Sequence, residues 1–223
     1  MENAFYLKEP QQQNRYLTRL ALKAVLINVA IGGLFFIVGQ PFLVAFSLWI
    51  SLQILAPFYD VPAMVKSGKM AYCSPLLLAE KETKGQIVLH GGTLFDYHFT
   101  INKAWNAKQK TSFVIQQYLL GLLKLIETKQ DDIVLTGTSY ILNARTAERL
   151  GFKQVPTNGV QKIILYFNAI NLMVSASMIK GRWVIPPINR VNTYRATVGD
   201  IKANKKFIQS LAQKLGRDFE IKP

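Results

Sequence analysis

The chain is 223 residues long and half hydrophobic, with a single cysteine and 27 Lys and Arg against 13 Asp and Glu, a net charge of +14 at pH 7. One cysteine excludes an internal disulfide framework and suits a reducing compartment. No Gly-x-Ser-x-Gly elbow, Walker loop, dinucleotide fingerprint or kinase signature occurs, so hydrolase, nucleotide triphosphatase and oxidoreductase readings have no residue-level support.

From Ala24 to Tyr59 there is no Asp, Glu, Lys or Arg. Within and beside that run, Leu20–Val38 and Phe42–Phe58 are two apolar segments, each near the length that crosses a hydrocarbon core of about 30 Å. Only Gly39, Gln40 and Pro41 separate them. Gly stops one helix and Pro admits the next at its first turn, which predicts a tight antiparallel pair. Lys8, Arg15, Arg19 and Lys23 precede the pair and Lys66 and Lys69 follow it, while the tip is uncharged. The positive-inside rule then places both ends in the cytoplasm. Residues 1–19 are polar or mixed and carry no small-x-small cleavage site, so the anchor is expected to be retained. Asn28 and Gln53 leave open the alternative of a buried helical hairpin in a soluble protein. The chain therefore divides into a cytoplasmic segment (1–19), a membrane helical hairpin (20–60) and a cytoplasmic domain (61–223).

Lys8, Arg15, Arg19 and Lys23 against Glu2 and Glu9 leave most of the positive charge beyond the hairpin. A basic domain held at the cytoplasmic leaflet is attracted to anionic lipid and to phosphorylated ligands. The basic residues are scattered, and no helix-turn-helix, zinc-finger or RNP pattern accompanies them, which argues against a nucleic-acid partner.

Further along, Met70–Glu82 and Gln86–Ile101 read as two strands of an antiparallel hairpin turning at Thr83-Lys84-Gly85. Gly91-Gly92 marks a bulge or a close approach in the second. Cys73, in an apolar stretch, reads as a packed thiol. Asn102–Lys110 is a polar loop, after which Thr111 or Ser112 caps a helix reaching about Lys129. Asp131–Tyr140 is a further strand. Asn143 caps a short helix that Gly151 ends. Ile163–Ile179 is uncharged and rich at its start in β-branched and aromatic residues, which predicts a strand followed by a buried turn or helix rather than a third span. Gly181–Pro187 is extended ahead of Pro-Pro. A final amphipathic helix, Ile201–Leu215, docks on the sheet or lies along the membrane. The fold class is α/β (α+β), a mixed sheet flanked by helices behind a two-helix transmembrane hairpin.

The order strand, strand, helix, strand, short helix, strand, with the segment Thr138–Phe152 closing on Glu148-Arg149-Leu150-Gly151-Phe152, resembles the GNAT superfamily of N-acyltransferases over roughly residues 70–180. The resemblance implies a GNAT-like mixed sheet and an acyl-CoA donor. In that family a bulged strand splays from its neighbour, and N–H groups at the start of the following helix receive the pyrophosphate. Carried onto this chain, Lys108, Lys110, Thr111 and Ser112 become the candidate cofactor-binding residues, with Lys103 in the same loop; the alternative for these lysines is a solvated loop. The chain departs from the family in lacking its glycine pattern at the helix start and in having Ala147 where many members carry a tyrosine that protonates the leaving thiolate. Tyr140, or Ser139, offers a hydroxyl in its place.

Acyl transfer to an amine also needs a base. Two apart on an expected strand, Asp96 and His98 share a face, and a carboxylate beside a His fixes its tautomer and favours its protonated form. Their alternative is mutual satisfaction of two packed polar groups. A metal site of His90, Asp96 and His98 is the weaker reading, because no Cys or Glu joins them at a characteristic spacing, and no metal is expected. The expected function is a membrane-anchored acyltransferase acting from an acyl-CoA on an amine acceptor at the cytoplasmic membrane face. Its alternative is a catalytically inactive GNAT-like subunit that binds a protein partner in a membrane complex.

Overall fold

The computed structural model describes residues 3–139 and 141–219. Helix α1 (Pro10–Ile37) and helix α2 (Phe42–Lys66) form the expected hairpin, and both outrun the apolar segments. Pro10 sits at the start of α1, where its missing N–H would have had no partner. At the tip Gly39 takes φ +73, and Gly39 and Gln40 donate back to the carbonyls of Phe36 and Phe35 at 3.1 and 2.8 Å. That closing pattern needs a left-handed residue just past the last turn. Both helices are long and apolar enough to cross a membrane, and α1 has no buried residue. The hairpin is thus not hidden inside the domain. Asn28, the polar exception, donates to the Ala24 carbonyl and to Ser51 Oγ, each at 2.8 Å, which ties α1 to α2 across the seam.

Six strands form one mixed sheet: β1 (Met70–Ser74), β2 (Leu77–Glu80), β3 (Gln86–Gly91), β4 (Val134–Ser139), β5 (Lys153–Val155) and β6 (Asn192–Thr197), in the order β1-β2-β3-β4-β6-β5. Only β3 and β4 run parallel. The strand expected over Met70–Glu82 is two strands, because the chain reverses at Pro75-Leu76. The turn at Lys84 and Gly85 is as expected, with φ 51 and 69 between the paired Thr83 and Gln86.

The strand expected to reach Ile101 ends at Gly91. Helix α3 (Leu94–Thr100) follows it, started by a capping box in which Thr93 and Asp96 satisfy each other's backbone N–H. Gly92 makes the corner: its N–H donates to the Leu76 carbonyl at 2.7 Å, and a Cβ there would stand 2.9 Å from the Leu76 side chain. Helix α4 (Ala107–Thr128) starts earlier than Thr111, since Asn106 and Gln109 form a second capping box. Helix α5 (Ala144–Arg149) is capped by Asn143 and closed by Gly151 at φ +94, as expected. The strand expected from Ile163 is absent. Asn158 and Gln161 cap helix α6 (Gly159–Phe167), and helix α7 (Ala169–Lys180) follows at a bend of 64°. The final helix is two, α8 (Val198–Ala203) and α9 (Lys205–Gly216), broken at Asn204.

Helices cover both faces of the sheet. On one, Leu77, Ala79, Leu89 and Leu135 pack against Leu119, Leu122 and Leu125 of α4, with α9 docked on α4 through Ile208 and Ala212. This settles the terminal helix on the domain. On the other, Met70 and Leu78 meet Phe58 and Val61 of α2, Phe5 of the N-terminal segment and Phe95 of α3. The last turns of α2 are therefore part of the domain's core.

Candidate functional site

The parallel pair β3–β4 is in register over only part of its two strands. Gln86, Ile87, Val88 and Leu89 face Val134, Leu135, Thr136 and Gly137, and there the pairing stops. Beyond it His90 and Gly91 pair only with β2, and Thr138 and Ser139 only with β6. The carboxyl ends of two parallel strands thus part company, which leaves unpaired backbone edges facing one another. Crevices outside such strand ends are the ordinary ligand position in open α/β sheets.

Strand alternation sorts the side chains around this cleft. On the α4 face, Gly91 lies against the Tyr118 hydroxyl, which stands 2.6 Å from where a Cβ would be, and that hydroxyl lies 3.1 Å from the hydroxyl of Tyr97. On the opposite face, half-exposed His90 hydrogen-bonds Glu80 across β2–β3, Nε2 to Oε1 at 2.8 Å. Thr138 shares that face and sits 3.1 Å from Thr193, whose hydroxyl reaches Thr157 at 3.0 Å and Gln161 of α6 at 3.2 Å. A groove of about 460 Å³ lined by Gln154, Thr157, Lys162 and Asn192 continues along the β5–β6 edge.

Asp96 and His98 are not neighbours on a strand face. They sit two apart on α3, where successive residues turn by about 100°, so they point to different surroundings. The fully buried Asp96 accepts through Oδ2 from the Thr93 N–H (2.8 Å) and hydroxyl (2.9 Å), and through Oδ1 from the Asn3 amide (3.3 Å) and the Tyr72 hydroxyl. Burial pushes the carboxyl upward against those hydrogen bonds, and burial together with the Asp96 charge pushes Tyr72 far above its ordinary range. Four donors and no solvent make Asp96 an internal tie between α3, β1 and the N-terminal segment. His98 instead faces the hairpin: its Nε2 lies 3.0 Å from the Tyr16 hydroxyl of α1, and its ring meets Phe58 of α2 edge-on. Burial, helped by the charges of Lys103 and Lys8, lowers its pKa. Tyr140 lies outside the described residues.

The candidate cofactor residues occupy the first two turns of α4, from its second residue, Lys108, to Ser112. Lys108 is paired with Asp218 at 3.0 Å, and Ser112 donates to the same carboxylate at 2.6 Å. These contacts pull the Asp218 carboxyl below its usual range. Thr111 donates to the Ala107 carbonyl at 2.7 Å, and Lys110 reaches the Met178 carbonyl at 3.5 Å. An acidic side chain from the segment after α9 thus engages the residues expected to meet an anion. Helix α3 and the loop 101–106 also separate the end of β3 from the start of α4.

Sequence reasoning missed Glu80, although the turn at Lys84-Gly85 brings residues 80 and 90 close on adjacent strands, and it missed Asp218, which no local pattern marks. His90, Asp96 and His98 have separate partners, and among the described residues no group of three or more His, Cys, Asp or Glu could hold a metal ion. Burial pushes the Cys73 thiol up to about 11, so it stays protonated and unreactive. No known protein family, curated protein or solved structure matches the chain.

Proposed function

We propose that this chain is a membrane-anchored acyltransferase with a GNAT-like fold, moving an acyl group from an acyl-CoA donor to an amine acceptor at the cytoplasmic membrane face. The observation that carries the reading is the parallel pair β3–β4, joined through α4 and parting beyond Leu89 and Gly137. Exposed strand edges there can hydrogen-bond the amide groups of an extended pantetheine arm. His90, held by Glu80 beside this cleft, is better placed as base than the enclosed Asp96. In the reaction the amine nitrogen bonds to the thioester carbonyl carbon, His90 takes the amine proton, and the C–S bond breaks to release the CoA thiolate. Glu80 orients the ring through its hydrogen bond to Nε2.

A second reading, the catalytically inactive subunit, is favoured by one observation. Lys108 and Ser112 are engaged by Asp218, so an incoming pyrophosphate would have to displace a carboxylate. The deciding experiment is the thermal midpoint of the detergent-solubilised protein with acetyl-CoA, longer acyl-CoAs and free CoA. At 100 times its dissociation constant a ligand adds about 2.7 kcal/mol to the folded state. A saturable rise that pyrophosphate and ATP do not reproduce supports the enzyme. A flat response from folded protein leaves the subunit reading and sinks the enzyme.

A further inference from the structure

We infer that α6 and the segment 182–187 form a second membrane contact, an interfacial wedge that dips the open side of the domain into the same bilayer that α1 and α2 cross. Val160, Ile163, Ile164 and Phe167 recur at the spacing of one helical face and are 54 to 68% exposed. No residue of α6 is buried. Beyond α7, Trp183 and Ile185 are 72% and 75% exposed. They are held outward, because Gly181 turns the chain at φ +63 and the Val184 N–H donates to Ser177 Oγ of α7 at 3.0 Å. A soluble surface has no reason to keep such a patch, and large exposed apolar patches mark contact with a partner or a membrane.

Lipid is the occupant that the surroundings favour. Only Asn168 separates α6 from α7, and α7 packs against α2 and α3, with Val174 and Met178 meeting the cluster around Phe58 and Val61. Helix α7 therefore links the apolar stripe of α6 to the domain end of the hairpin. Exposed Lys162, Lys180 and Arg182 border it, as expected of a surface pressed on anionic head groups. The bent pair α6–α7 is long and apolar enough for a broken span. However, α7 buries Asn171, Ser175 and Ile179 inside the domain, which leaves α6, of these two helices, to enter lipid beside segment 182–187, at the depth of the head groups and first methylenes rather than across.

The test uses the full chain with Cys73→Ala, reconstituted in vesicles of phosphatidylethanolamine and phosphatidylglycerol. Nitroxide labels are attached at Ile163→Cys, Trp183→Cys or, as reference, Lys162→Cys. Labels at 163 and 183 should lose collisions with an aqueous nickel chelate and gain collisions with oxygen, while the label at 162 should show the reverse. Nickel reaching 163 and 183 as freely as 162 overturns the wedge. Exclusion of both reagents from 163 and 183 also overturns it, in favour of a protein partner or a second copy. Independently, in the unlabelled chain, bromine-tailed lipids should quench a fluorescence component that disappears in Trp183→Phe. No such component contradicts the proposal whatever the labelled variants do.

Discussion

Replacing Asp96 with alanine tests whether this residue is a structural tie. The carboxylate closes the capping box of α3, whose loss costs about 1 kcal/mol. It also satisfies the buried Tyr72 hydroxyl, Asn3 amide and Thr93 N–H. A buried donor left without a partner costs about 1–3 kcal/mol. Water entering the vacated space would recover part of this, so the expected loss is about 3–5 kcal/mol, a large share of a typical domain's stability. Asp96→Asn keeps the shape and one acceptor oxygen and should lose less. The assay is the denaturant midpoint by far-UV circular dichroism in a fixed mild detergent, with turnover measured on the same samples. A loss below about 1 kcal/mol for Asp96→Ala would refute the tie. So would an Asp96→Asn protein that keeps its midpoint but has no acyl-transfer activity, because that pattern belongs to a reacting group.

Other perturbations address the site, the hairpin and the pH response. His90→Ala should lower turnover by about 10² or more with donor affinity almost unchanged, Glu80→Gln by less, and equal rates in His90→Ala and the parent would remove this pair from the chemistry. For His98 the folded pKa lies below the ordinary value of about 6.5, so the unfolded chain binds the proton more readily. Its contribution is fully present above that value and is lost as pH falls from about 6.5 through the folded pKa. The acid-side slope of stability should therefore flatten in His98→Gln, and an unchanged slope would place the titration elsewhere. Gly151→Ala puts a Cβ 2.5 Å from the Asp200 carbonyl oxygen at φ +94, and should cost about 2–4 kcal/mol in chemical denaturation. Reporters fused at either terminus should be active only if cytoplasmic, and an extracytoplasmic signal from the C-terminal one would overturn the hairpin's orientation.

The sequence was most legible where one residue type alone satisfies the backbone. Gly39, Gly85 and Gly151 stand where a left-handed conformation is required, and each marks the boundary it was expected to mark. It was least legible in short helices built from strand-like residues. Leu94–Thr100 alternates like a strand, and Ile163-Ile164 with Tyr166-Phe167 has strand composition. In both cases the cap decided: Thr93 with Asp96 and Asn158 with Gln161 offer the first N–H groups partners that a strand would not need. Reading those spacings would have separated Asp96 from His98 before any coordinates. Strand β6 could not be anticipated, because its pairing with β4 and β5 joins residues remote along the chain.

The Asp96 tie also holds the segment ahead of α1 against the domain. The segment ahead of α1 is held in the domain, with Asn3 on Asp96 and Phe5 packed on Phe95, and the chain then leaves through α1. It returns through α2, whose Phe58 meets both Phe95 and the His98 ring, while Tyr59 donates to the Leu17 carbonyl at 2.8 Å and Tyr16 contacts His98. Both membrane helices are thus gripped at their domain ends, and neither acts as a flexible stalk. With α1 and α2 crossing a bilayer, as proposed, a domain held in this way would keep its strand-end cleft at a constant height above it. Under the proposed function, an acceptor that presents an amine at the membrane would be favoured over one free in solution, and loosening the grip with Tyr16→Ala should reduce turnover on membrane-borne acceptors more than on soluble ones. Equal reduction on both classes would mean that the grip serves stability alone.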